Sequence, residues 1–171
     1  MGNLREILPT HAKEFLTYCD AVHKHTTNNA YVTSLRKLCF FLKEEGKDPE
    51  QFFEYLDRGL LEKWFASMYK AGLEPASRKL AITNIRCYLK WAVDREYLKE
   101  NPDKLIQRSD FPKVPKYLPK PLELEHDKKL IEYLKTSKRL SEMGLLLLRY
   151  GGMRVGEILN MSWECLHQED E

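Results

Sequence analysis

The residues with the strongest chemical potential are Arg154 and Glu157, in the run Tyr150-Gly151-Gly152-Met153-Arg154-Val155-Gly156-Glu157. An apolar helix stops at paired glycines, one arginine emerges at the start of the next helix, and a carboxylate follows one turn later. The start of a helix favours anions, because its first N–H groups are unpaired and the helix dipole points its positive end there. A guanidinium at that place can grip two oxygens of a phosphate with its planar fork. The same spacing also suits a plain i,i+3 ion pair on an exposed helix. Both readings stand on the spacing alone.

A second set of cations lies mid-chain. Lys79, Thr83, Arg86 and Lys90 recur at spacings that stack them in one narrow helical stripe, with Arg78 at its edge and Trp91 flanking it. Arg36, Lys37 and Lys43 form a weaker set on an earlier helix, and Lys113 and Lys116 sit among prolines. Cations in rows can track a phosphate backbone. A solvated helix face is the plainer alternative for each set.

Other reactive residue types lack the company their chemistry needs. His23 and His25 have no third ligand at metal-site spacing. Tyr117, Tyr133 and Tyr150 have no visible activating partner, and Tyr150 is expected to pack rather than react. Ser141 lacks a His–Asp context, and no Gly-Lys-Ser/Thr follows the paired glycines to make a phosphate loop. The expectation is no cofactor and no metal.

The elements that position these residues read as helices throughout, since no run sustains period-two alternation. An opening helix is expected over about 10–25, with Phe15, Leu16, Cys19 and Val22 as its apolar stripe. A second runs from Thr26 or Thr27 to a stop at Gly46, burying Tyr31, Leu35, Leu38, Cys39 and Leu42. Phe40 falls on its polar side. Asp48-Pro49 opens a short turn, and a third helix covers about 60–71. The fourth, opened by Pro75, is expected to reach Lys99 and to bury Ala81, Ile85, Tyr88, Leu89 and Ala92. The five prolines from Pro102 to Pro121 deny helix to residues 102–121 and predict an extended basic linker. Helices over 124–134, 140–150 and 155–161 form a second, smaller unit.

Composition bounds the rest. In 171 residues, 43% hydrophobic content supplies a core and excludes wholesale disorder. The apolar run Leu145 to Leu148 is far short of the roughly 18 residues of a membrane span. The start shows no signal-peptide core, and Gly2 matches a myristoylation start without its Ser or Thr. Four cysteines without a C-x-x-C pair argue against zinc or a disulfide framework. Cys39 and Cys87 read as small core residues, which fits a reducing, cytoplasmic setting. Net charge is only +2, yet residues 76–121 hold 11 basic against 5 acidic side chains, which points to a local polyanion contact.

The stretch Gly152-Met153-Arg154-Val155-Gly156-Glu157-Ile158-Leu159-Asn160-Met161-Ser162-Trp163, with the leucine helix before it, resembles the first-arginine box of the tyrosine recombinases, the lambda-type phage integrase family. Upstream, Thr27-Asn28-Asn29-Ala30-Tyr31 through Phe41-Leu42 is similar to the opening helices of that family's core-binding, SAM-like domain. Ala76-Ser77-Arg78-Lys79-Leu80 through Trp91-Ala92 is similar to its last helix, and Pro112-Lys113-Val114-Pro115-Lys116 resembles its linker.

The resemblance implies an all-α chain. Residues 1–101 would be a four-helix core-binding domain, 102–121 a linker, and 122–171 an N-terminal, truncated part of the catalytic domain. It implies a double-stranded DNA partner, other recombinase protomers as further partners, and strand exchange through a covalent phosphotyrosine without metal. Arg154 carries over as the first catalytic arginine and Glu157 as the acidic residue that orients it. Nothing in the sequence matches the family's later lysine, His-x-x-Arg box or nucleophilic tyrosine, so the chain by itself is expected to bind DNA and not to cleave it. Gly151 stands where the family often has threonine. The competing expectations are a non-catalytic accessory module that contacts a full-length recombinase, and a helical DNA-binding regulator.

Overall fold

Apolar spacing and caps account for the helices that form. The computed structural model describes residues 8–22, 25–116 and 120–162. Helix α1 (Thr10–Val22) buries Ala12, Phe15, Leu16 and Cys19, one face at helical spacing. Helix α2 (His25–Glu44) buries Tyr31, Leu35, Leu38, Cys39 and Leu42. It closes at Gly46, where φ is +70°, a value glycine reaches without a Cβ clash. There the N–H of Lys47 donates to the Leu42 carbonyl at 2.8 Å.

Asp48 caps a 3₁₀ turn (Pro49–Glu54) by accepting the N–H of Glu50, and this turn buries Phe52. Asp57 caps helix α3 (Arg58–Lys70) through the N–H of Leu60 at 2.6 Å, and α3 buries Leu61, Trp64 and Met68. Helix α4 (Pro75–Asp94) packs on α1, α2 and α3, with Ile85, Tyr88, Leu89 and Ala92 at the centre of one core.

The structure corrects several expectations. Helix α4 ends at Asp94 and not near Lys99. Glu96 takes a left-handed φ of +63°, and the N–H of Tyr97 turns back to the Ala92 carbonyl at 2.9 Å. The reason is tertiary: the Tyr97 ring packs 5.7 Å from Phe53 and 5.8 Å from Trp91, its hydroxyl donates to Glu14, and Leu98 is buried.

The second correction concerns the linker. Pro102 begins a short helix α5 (Pro102–Leu105), where its missing N–H costs nothing, and a 3₁₀ turn (Arg108–Asp110) follows. Leu105 and Ile106 are fully buried, so the first half of the expected linker belongs to the core. Beyond Phe111, residues 112–116 hold no regular element and carry the exposed Lys113 and Lys116.

The third correction is Cys87, which is exposed, whereas Cys19 and Cys39 are buried. Burial pushes the Cys39 thiol up to about 11, away from reactivity. Trp91, expected beside the basic stripe, is also in the core.

The chain divides into two compact units, residues 1–116 and 117–171. In the second, α6 (Leu124–Thr136) packs on α7 (Leu140–Gly151), and α7 on α8 (Val155–Leu159). Arg149 ties α7 to α6 through both oxygens of Asp127. Gly152, at φ +61°, ends α7. Leu134 is buried, while Leu145, Leu147, Tyr150 and Leu159 stay exposed. Among the described residues every regular element is helical, and no helix is long and apolar enough to cross a membrane.

Candidate nucleic-acid interface

Because one side of α4 is committed to the core, the polar residues spaced three and four apart are forced onto its outer edge. Lys79, Thr83 and Lys90 are exposed there, and Arg86 is half-buried. Among the described residues neither Lys79 nor Lys90 forms an ion pair, whereas Arg86 does. Its Nε and Nη2 donate to one oxygen of Asp103, at 3.1 and 2.7 Å, and its guanidinium lies 6.0 Å from the Phe111 ring centre. The hydrogen bond from Arg86 holds the Asp103 carboxyl below the usual carboxylate range, helped by the positive charges of Arg86 and Lys90.

The other cations are held to different degrees. Arg78 is half-buried with its guanidinium 5.1 Å from the exposed Tyr69 ring. Arg36 lies 5.8 Å from the ring of Phe40, which explains that residue's place on the polar side of α2. Lys37 lines a groove between α2 and α4, with Asn29 and Thr33 beside it and Ser77 and Leu80 opposite. Lys43, Lys113 and Lys116 are exposed.

Two residues that hold this surface escaped the sequence reading. Asn84 is buried on the inner side of α4, where its Nδ2 donates to the Ala30 carbonyl at 3.0 Å and to Ser34 Oγ at 2.9 Å. It fixes α4 against α2. The available signal was one amide interrupting an apolar helical face. Arg58 grips both oxygens of Asp110 at 3.0 and 3.2 Å, pairs with Glu62 at 2.8 Å and reaches the Leu105 carbonyl at 3.4 Å. No local signal marks this pair, since its partners are 52 residues apart.

In the second unit, Arg154 immediately precedes α8. Glu157 Oε2 accepts the N–H of Arg154 at 2.8 Å, and Oε1 accepts from Nη1 at 3.1 Å. The i,i+3 pair therefore forms, and it leaves the Arg154 side chain 88% exposed. The carboxylate restrains the arginine without burying it. Tyr150 does not pack as expected; it is exposed. Tyr133 is exposed too and donates to Glu142 at 3.2 Å. Tyr117, His23 and the side chain of His25 lie outside the described residues. Among the described residues no group of three or more His, Cys, Asp or Glu is placed to hold a metal.

Comparison with known proteins finds distant relatives among the tyrosine recombinases. The tyrosine recombinase XerA of Pyrococcus furiosus is 31% identical over 160 residues, covering 92% of this chain and 49% of the relative. The chain is a distant homologue of the tyrosine recombinases. XerA of Thermococcus onnurineus is 29% identical over 71% of the chain and 45% of its own length. XerC of Salmonella typhi is 25% identical over 74% of the chain and 42% of its own length. This recombinase homologue thus spans about half the length of the curated relatives it matches. No family model and no solved structure matches it.

Proposed function

We propose that this chain is the DNA-binding part of a tyrosine recombinase, with the residues up to Lys116 acting as its core-binding, SAM-like domain. The single observation that carries the reading is the outer edge of α4, where Lys79 and Lys90 stand exposed on a helix held rigidly by the core. Duplex DNA docks along that edge, Thr83 and Arg86 lie within it, and Arg78 flanks it. Arg36, Lys37 and Lys43 on α2 form the second row, and Lys113 and Lys116 follow the backbone beyond the core.

In the second unit Arg154 serves as the first arginine of the recombinase site. Its guanidinium donates to a phosphoryl oxygen where charge gathers as the phosphate is attacked. Glu157 positions it through the two hydrogen bonds described above. The strand exchange implied by the family needs further cations and a tyrosine nucleophile around the same phosphate, so this chain alone binds and does not cleave. Other recombinase protomers are its protein partners.

Fluorescence anisotropy with a labelled duplex across a salt series tests the reading. Each phosphate contact contributes about −0.9 to the slope of log K against log salt. Changing Lys79 and Lys90 together to Ala flattens the slope by about two. A wild-type chain that binds no duplex at low salt overturns it. The exposed Leu145, Leu147, Tyr150 and Leu159 favour a second reading, an accessory module that contacts a full-length recombinase. Co-elution with a full-length recombinase, without any duplex binding, selects that one.

A further inference from the structure

Asp103 is an acidic plug in the basic edge of α4. It enters from another element, the start of α5, where Asn101 fixes its N–H at 2.8 Å. Its carboxylate takes two hydrogen bonds from Arg86, both on the same oxygen. The Nε/Nη2 edge used for this is one that a guanidinium also offers to a phosphate. The carboxylate is 53% exposed and Arg86 31%, so the pair sits at the surface where a duplex would arrive. A nearby lysine, Lys90, adds its own attraction to the same carboxylate. The guanidinium also lies over the ring of Phe111, 6.0 Å from its centre. The second Arg–Asp pair of this region, Arg58–Asp110, holds the same segment and involves no residue of the α4 stripe.

We propose that Asp103 is an intramolecular stand-in for a DNA phosphate, which the duplex must displace from Arg86. The inference rests on the duplex-binding reading above and deepens it. In the free chain Arg86 is satisfied by Asp103, and the stripe presents Lys79 and Lys90. When a duplex docks, a phosphate oxygen takes the Nε/Nη2 edge and the carboxylate turns to water. Asp103 then remains as a like charge beside the bound backbone. It weakens binding and keeps the site selective for a partner that brings several phosphates at once.

The test compares the full chain with Asp103→Asn and Glu54→Gln, using anisotropy with a duplex over a salt series. Removing a unit charge in near contact with a bound phosphate is expected to tighten Kd about tenfold at moderate salt. With no carboxylate released beside the duplex to take up a cation, the salt slope steepens by up to about 0.9. Glu54→Gln makes the same change in net charge at an exposed residue outside the segment that carries Asp103, so it should leave Kd within about twofold and the slope unchanged. Equal gains from both variants overturn the plug, because net charge then explains them. No gain from Asp103→Asn, with the wild type binding, also overturns it while duplex binding stands. If no chain binds duplex at low salt, duplex binding fails and takes the plug with it. If circular dichroism shows that the amide disturbs the fold, Asp103→Ser removes the charge, keeps a hydroxyl at the helix start, and is read in the same way.

Discussion

Tyr88 on α4 donates its phenolic hydrogen to Nδ1 of His11 on α1, while the opposite nitrogen of the same ring, Nε2, donates to the Pro49 carbonyl at 3.1 Å. Both side chains are buried, and the pair joins α1 to α4 inside the first unit's core. With Nε2 donating and Nδ1 accepting, the imidazole is held in one neutral tautomer. Nothing about this contact is local, since 77 residues separate the partners.

Acid should therefore unfold the first unit through His11. Burial lowers its pKa below the usual 6.5, against weaker raising influences from the Pro49 carbonyl, Glu50 and Glu14. A depressed histidine is neutral in the folded state and titrates more readily in the unfolded chain. Its contribution is fully present above about pH 6.5 and is lost as pH falls through the folded value. Urea midpoints between pH 7.5 and 4.5 should fall more steeply for the wild type than for His11→Gln, and parallel curves would contradict the account. Tyr88→Phe should cost about 1–3 kcal/mol at neutral pH, by leaving Nδ1 without a donor in the core.

Asn84→Ala should lose about 1–3 kcal/mol, because the Ala30 carbonyl and Ser34 lose a buried donor between α2 and α4. Chemical denaturation measures the loss. Spread of α4 from α2 should also weaken duplex binding beyond what the stability change explains, since the two cationic rows then lose their spacing.

Glu96→Gly should raise stability by about 1 kcal/mol. A non-glycine residue at φ +63° carries a steric cost of about that size, and the exposed Glu96 side chain offers nothing in the structure to offset it. A thermal midpoint that falls instead would show that the freedom glycine adds to the unfolded chain outweighs the strain relieved at this turn.

Asp110→Ala should release the segment from Pro102 to Phe111, since Arg58 grips Asp110 with two nitrogens and the N–H of Gln107 donates to the same carboxylate at 2.7 Å. Trypsin should then cut after Lys104 or Arg108 under conditions that leave the wild type intact. Equal digestion rates would show that burial of Leu105 and Ile106 is sufficient by itself.

Arg154→Ala should leave stability within about 0.5 kcal/mol, as expected for an exposed side chain. In a recombinase assembled with its remaining catalytic residues, the same change should abolish strand cleavage while duplex binding by the first unit persists. A large loss of stability would instead make the Arg154–Glu157 pair a structural brace.

The sequence by itself determined the helical class, the apolar faces that α2 and α4 bury, the stops at Gly46 and Gly152, and the placement of Lys79, Thr83, Arg86 and Lys90 on one edge of α4. These follow from periodicity and caps, which act over one or two turns. It also placed Arg154 beside Glu157, an i,i+3 relation that the structure realises in two hydrogen bonds. Tertiary structure alone decided that α4 stops at Asp94, that residues 102–111 join the core, that Cys87 faces outward, and that Arg58, Arg86, His11 and Asn84 have the partners they have. Those contacts join residues between 17 and 77 positions apart, and no local propensity encodes them. Proline content made residues 102–121 read as an extended strap, yet burying Leu105 and Ile106 and pairing two aspartates with two arginines outweighed that local preference. The availability of a charge, as opposed to its position on a helix, depends on which neighbours the fold brings to it.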